Sequence, residues 1–421
     1  MKQEKSKKPI WVKPWGYTEG WLIVLGLLIT GLALQIATGG LDQNALSWPI
    51  NLYIGIGFTA ILAITWFLFG KKRNHLVQWL ASIPAAITSI VMITFLVLIM
   101  GFTLQEDAQN PVWVQKLGLS NMTSSWPFLL GMTFFLAALG MATIKRISPF
   151  KGRNIGFFLN HAGLYIIILG GLLGSADLQR YTMQIYEGEI VWYANDREGR
   201  QIQMPLALEL QSFNMEEYNP KIAVIDPHTG RIIPETISEM FEIDEGNRGN
   251  IFGYDVEVQK FYPLSGKVGD RYEPVNNFGA APAAYIVATA EDGSTAEGWI
   301  SSGSFMMPHS LLNLDHVYDF SFAMTIPQAS HYSSDVILYT ESGDVQEVRI
   351  EVNHPVSAEG WKLYQYSYDD RFGRWSPSSV IEAIRDPWLP VVYTGIFMVL
   401  IGSVYLMTLG KAPEKINGDV S

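Results

Sequence analysis

Six stretches of this chain are apolar and carry no Lys, Arg, Asp or Glu in their cores: Trp21–Ala37, Leu52–Phe69, Ile83–Phe102, Pro127–Ile144, Ile155–Ala176 and Trp388–Leu409. A hydrocarbon layer of ~30 Å is crossed by roughly 20 apolar residues rising ~1.5 Å each. Within such a layer every backbone N–H and C=O must be satisfied inside the segment, which makes each stretch a helix. The expected architecture follows from their placement. Five spans come first, a long polar segment follows, and one span closes the chain.

The basic residues predict an orientation. With the N-terminus inside, the inside segments hold 14 Lys and Arg: five N-terminal lysines, Lys71, Lys72, Arg73, Lys145, Arg146, Lys151, Arg153, Lys411 and Lys415. The two short outside loops hold only Lys116. Trp15, Trp21, Trp48, Trp79, Trp113, Trp126 and Trp388 lie near span ends, where an aromatic belt places them. No cleavable signal peptide is evident, because the first apolar run is long enough to span and no small-residue cleavage site clearly follows it.

The organisation read from these features is a basic cytoplasmic N-terminus at 1–20, a five-helix membrane region at 21–176, an external domain at 177–386, a last span at 387–410 and a tail at 411–421. The external segment holds 33 acidic and 14 basic residues, a net of −19, against −11 for the whole chain. Long domains translocate regardless of charge, so the topology is undisturbed. The domain reads as strand. Tyr181–Tyr186, Leu206–Leu210, Tyr254–Val258, Tyr285–Thr289, Val336–Tyr339 and Val345–Val352 are rich in β-branched and aromatic residues, and turn signals such as Glu291-Asp-Gly293 separate them. The fold class expected is a six-span helical bundle with a large β-rich, sandwich-like or barrel-like extracytoplasmic domain inserted before the last helix.

Composition excludes several chemistries. With no cysteine there is no disulfide framework, CxxC redox pair or thiolate metal site. Phosphate-binding glycine loops, a G-x-S-x-G elbow and an H-E-x-x-H pair are absent, and nothing points to nucleic acid. His309 and His316 are too weakly patterned to read as metal ligands. His161 is different, because it lies in the uncharged run Ile155–Ala176 beside Asn160. A titratable side chain in a span needs a partner. Two readings stay open: a hydrogen bond to a neighbouring helix, which Asn160 could share, or axial ligation of a haem iron. Gly163, Gly170, Gly171 and Gly174 allow close approach of either a helix or a flat ring.

The second concentrated stretch is Val352-Asn-His-Pro-Val-Ser-Ala-Glu-Gly-Trp-Lys-Leu-Tyr-Gln-Tyr-Ser-Tyr368, followed by Asp386-Pro387 before the last span. Taken locally it reads as a strand, a turn at Glu359-Gly360 and a second strand. Asn-His-Pro, then Tyr-Gln-x-Ser-Tyr, then Asp-Pro and a final span closely resembles the ResB/CcsB family of system II cytochrome c biogenesis. The Asn-His-Ala-Gly-Leu helix also looks like that family's histidine-bearing span.

The resemblance implies a non-autonomous subunit of a haem lyase. It would work with a CcsA/ResC-type membrane protein in a bacterial cytoplasmic membrane, carry haem b in transit as substrate, and present apocytochrome c for attachment at CxxCH. It implies His161 as axial ligand to the haem iron. Asn160, Asn353, Pro355, Tyr364, Gln365, Asp386 and Pro387 then serve structure or partner contact. From the residues alone two other classes stand: a membrane scaffold or receptor with an external binding domain, and a transporter subunit, whose charged or broken spans are missing here.

Overall fold

The computed structural model describes residues 11–72, 74–107, 109–314 and 320–408. Lys2, Lys5, Lys7, Lys8, Arg73, His316 and the 411–421 tail lie outside them. Six helices are long and apolar enough to cross a membrane, which makes this a multi-pass membrane protein. They are Tyr17–Thr38, Ile50–Thr65 (continued through a π-helical turn to Gly70), Ile83–Phe102, Trp126–Ile147, Ile155–Gly174 and Leu389–Thr408. Pro84 and Pro127 stand in the first turns of the third and fourth spans, where no backbone N–H is needed. Lys145 and Arg146 end the fourth, complementing the helix dipole. Trp48 and Trp113 are more than half exposed, as belt residues are, but Trp79 is buried and its Nε1 donates to the Gly16 carbonyl at 3.2 Å.

The chain divides into two compact units, one holding the helices and the other running from Gln179 to Arg385. The second unit is β-rich, and the last helix follows it. Its main sheet has eight strands in the order Val345–Glu351, Ala329–Thr340, Gln201–Glu217, Ile190–Asn195, Gln179–Tyr186, Ser378–Arg385, Trp361–Tyr368 and Val356–Ala358. Alternate residues of these strands, among them Ile185, Leu208, Leu210, Leu338, Leu363 and Ile381, fill one core. Because side chains from both ends of the sheet meet there, it is curled and nearly closed. A second lobe packs a four-strand path through Tyr254–Val268 and Ala281–Ala290, with Arg271–Pro274 paired to the first of these, against the small sheet containing Ile222–Ile225 and Ser321–Met324. The turn expected at Glu359-Gly360 has both residues at positive φ, 49° and 78°, which is how a two-residue hairpin matches strand twist.

The curl brings buried polar groups together. Ser334 Oγ donates to Gln365 Oε1 at 2.7 Å, while Gln365 Nε2 donates to Ser379 Oγ at 2.8 Å and to the Ser367 carbonyl at 3.1 Å. Gln365 is 5% exposed and both Ser334 and Ser379 are 0% exposed. Truncating one member of a fully satisfied buried network leaves the others unpaired. Gln365→Ala is therefore expected to cost about 2–3 kcal/mol, read as an earlier thermal unfolding midpoint by tryptophan fluorescence. A midpoint equal to that of the exposed control Gln211→Ala would show that the knot contributes nothing.

Candidate functional site

The fifth span presents three faces with different chemistry. One meets the sixth span through glycine. Gly156, Gly163 and Gly170 are seven residues apart, as are Gly395 and Gly402, and a seven-residue repeat stays on one side of two coiling helices. A Cβ at Gly163 would stand 2.7 Å from the Gly395 carbonyl oxygen, and one at Gly174 would stand 2.5 Å from Trp388. Gly156 meets Tyr405 and Leu406, so the two helices run antiparallel. Asn160 belongs to this seam. Its Nδ2 donates to the Gly156 carbonyl at 3.0 Å and its Oδ1 accepts from Ser403 Oγ at 3.0 Å, a hydrogen bond between helices.

A second face, with Ala162, Tyr165 and Leu169, lines an apolar cavity of about 620 Å³ shared with the second, fourth and sixth spans. Its one polar pair is Thr59 and Tyr165, 2.9 Å apart. Thr59 Oγ1 also donates to the Gly55 carbonyl at 2.8 Å, which assigns the shared proton to the tyrosine. Three of the spans that wall the cavity, the second, fifth and sixth, are tied at one end by Asp177. Its carboxylate accepts from the Trp48 backbone N–H at 2.7 Å, from Asn51 Nδ2 at 2.8 Å and from Trp388 Nε1 at 2.7 Å. Sequence reading took Asp177 only as the start of a domain. An acid directly after an uncharged span was the available signal.

His161 lies on neither face. At ~3.6 residues per turn it stands roughly opposite Gly163, and it does not line the cavity. Its ring stacks on Phe157 with centroids 3.7 Å apart, and the Arg146 guanidinium sits 5.6 Å from that phenyl ring. His161 Nδ1 lies 3.1 Å from the Phe157 carbonyl oxygen. A carbonyl oxygen only accepts, so Nδ1 carries the proton of the neutral ring and Nε2 keeps a lone pair. Among the described residues Nε2 has no hydrogen-bond partner, and the side chain is half-buried. A backbone-fixed imidazole with its far nitrogen uncommitted is how metal-ligating histidines are oriented. No group of three or more His, Asp or Glu able to hold a metal ion occurs among the described residues.

The C-terminal motif residues are spread over separate tasks. Asn353 is exposed with φ at 65°, a turn position, and Pro355 is half-buried just before the strand Val356–Ala358. Tyr364 pairs across from Glu382, and Gln365 is the buried knot described above. Asp386 Oδ1 accepts from the backbone N–H of Trp388 at 3.0 Å and of Leu389 at 3.1 Å, capping the sixth span, and Pro387 fits the start of that helix because it needs no donor there. Asn353, Pro355, Tyr364 and Gln365 belong to the β-rich unit, and Asp386 and Pro387 to the start of the sixth span.

A sequence model of the ResB-like family matches residues 308–376. The match contains Asn353, Pro355, Tyr364 and Gln365, and it bears out the resemblance read from that motif. No curated protein matches the chain.

Proposed function

For this chain of the ResB-like family, we propose that it is one subunit of a system II cytochrome c synthase, working with a CcsA/ResC-type membrane protein. In this reading haem is cargo. His161 Nε2 occupies one axial position of the iron and leaves the other to the partner, so neither subunit holds haem alone and the group can move on. The observation that carries the reading is the His161–Phe157 bond, which frees Nε2 on a face that meets neither the glycine seam nor the apolar cavity. The bond-forming chemistry, addition of apocytochrome thiols to haem vinyl groups, uses cysteines this chain lacks. Its β-rich domain would hold apocytochrome c or the partner. The deciding experiment is purification with and without the CcsA/ResC-type subunit, followed by haem absorption spectroscopy. A haem-free complex would refute the reading.

The reading requires a defined topology: both termini on the cytoplasmic side of a bacterial inner membrane and residues 177–386 outside. Its support is the bias of Lys and Arg. Because the chain has no cysteine, Ser6→Cys and Ser294→Cys report each side cleanly. In intact cells an impermeant maleimide is expected to label the second and spare the first. Equal labelling would overturn the topology.

A further inference from the structure

The outer face of the curled sheet carries a polar lattice fixed by strand register. Glu216 lies across from His331, Ser333 across from Glu351, and Asp335 across from Arg349. These strands, the turn Gly373–Trp375 and residues Leu264 and Asn276 of the second lobe enclose a cleft of about 550 Å³. Six of its twelve lining residues, including His331, Arg349, Glu351 and Trp375, fall in the segment that matches the ResB-like family.

The charges in the cleft do not balance. Arg349 is taken up by a two-pronged bond to Asp335, Nε to Oδ1 at 2.7 Å and Nη2 to Oδ2 at 2.9 Å. That bond holds the Asp335 carboxyl below the usual carboxylate range. Arg374 Nη1 pairs with Glu217 Oε2 at 3.1 Å. Burial pushes the Glu217 carboxyl up, against the attraction of Arg374. Glu216 has no ion-pair partner among the described residues, and Glu351 has only His354, 3.8 Å away. Arg349 and Arg374 thus face four carboxylates, Asp335, Glu217, Glu216 and Glu351, an excess of two in a domain whose net charge is already −19.

One wall continues into exposed aromatics. Trp375, fixed by its Nε1 bond to the Ala280 carbonyl at 3.2 Å, lies 6.0 Å from the Phe278 ring. Phe278 lies 5.1 Å from Phe305, which lies 4.9 Å from Phe372. Phe278 is 57% and Phe305 41% exposed. Clustered exposed aromatics beside a polar rim are the anatomy of a protein-recognition surface.

We infer that this cleft and its aromatic wall dock an extended, cationic polypeptide segment. Its lysine or arginine groups meet Glu216 and Glu351, and its apolar side chains rest on Phe278 and Phe305. A small cation would leave the aromatics uncovered, and an anionic amphiphile such as haem would bring its propionates against Glu216 and Glu351. A polypeptide alone carries both demands on one extended body. Identifying that segment with apocytochrome c rests on the function proposed above, whereas the preference for cationic peptide does not.

The test uses the full chain in lipid nanodiscs and a dye-labelled peptide carrying a CxxCH motif with serines replacing its cysteines, flanked by lysines in one version and glutamates in the other. Fluorescence anisotropy should show the lysine version binding about tenfold or more tighter at low salt, with the advantage shrinking as salt rises. Glu216→Gln with Glu351→Gln should weaken it about tenfold, since two exposed pairs at up to ~1 kcal/mol each are removed. Phe278→Ser with Phe305→Ser should weaken both versions at every salt concentration. Equal binding of the two peptides overturns the inference, as does unchanged affinity in a glutamine double variant with wild-type circular dichroism. Haem content measured on the same samples separates the two claims: haem lost from a His161 variant that still binds peptide bears on the ligand assignment alone.

Discussion

His161→Ala should leave the protein in the membrane at its normal level, strip haem from the complex with its partner and reduce cytochrome c maturation to background. The side chain makes one hydrogen bond, to the carbonyl of its own helix one turn back, so its removal breaks no hydrogen bond between helices. What disappears is the one uncommitted imidazole nitrogen in the spans. Imidazole supplied in solution should restore part of the haem spectrum by filling the vacant axial position. His161→Gln separates this from a structural role. An amide can hydrogen-bond to carbonyl oxygens but is a poor iron ligand, so a structural histidine predicts full activity in the Gln variant and no response to imidazole. Haem retained at wild-type amount, with an unchanged spectrum, in His161→Ala would end the ligand assignment.

Gly163→Leu should remove most of the assembled protein. The obstacle to a side chain at Gly163 is the backbone oxygen of Gly395 at 2.7 Å, with Val399 Cγ2 at 2.9 Å. A flexible side chain could turn aside, but a helix backbone in the middle of a seam cannot. Overpacking typically costs ~1–3 kcal/mol, and here the two helices must also part, breaking the Asn160–Ser403 bond. Gly171→Leu, on the same helix with nothing within 4 Å of its would-be Cβ, is the matched control and should be neutral. The readout is abundance in the membrane fraction and resistance to protease. Equal behaviour of the two variants would show that the seam is not required.

Much of the architecture was written locally. A run without charge and about twenty residues long can only be a span, and all six appear within a few residues of their expected limits. The strands expected at Tyr181–Tyr186 and Val336–Tyr339 lie in observed strands, and that at Val345–Val352 overruns an observed one by a single residue, since alternation of β-branched residues with polar ones is itself the signature of a half-buried pleat. The role of Asp386-Pro387 was equally local, because a cap and its helix are adjacent in sequence.

The partners across the fold were decided elsewhere. Gln365 stood out by its motif without showing its partners, and only the curl of the sheet sets it against Ser334, 31 residues earlier, and Ser379. Asp177 meets Asn51 and Trp388 across 126 and 211 residues, and Asn160 meets Ser403 across 243. Periodicity states which face of a helix or strand is apolar and cannot state what will lie against it. For His161 the sequence supplied the anomaly, a titratable group in an uncharged span. The tertiary structure supplied its orientation, with Nδ1 on the Phe157 carbonyl and the ring on neither the glycine seam nor the cavity wall.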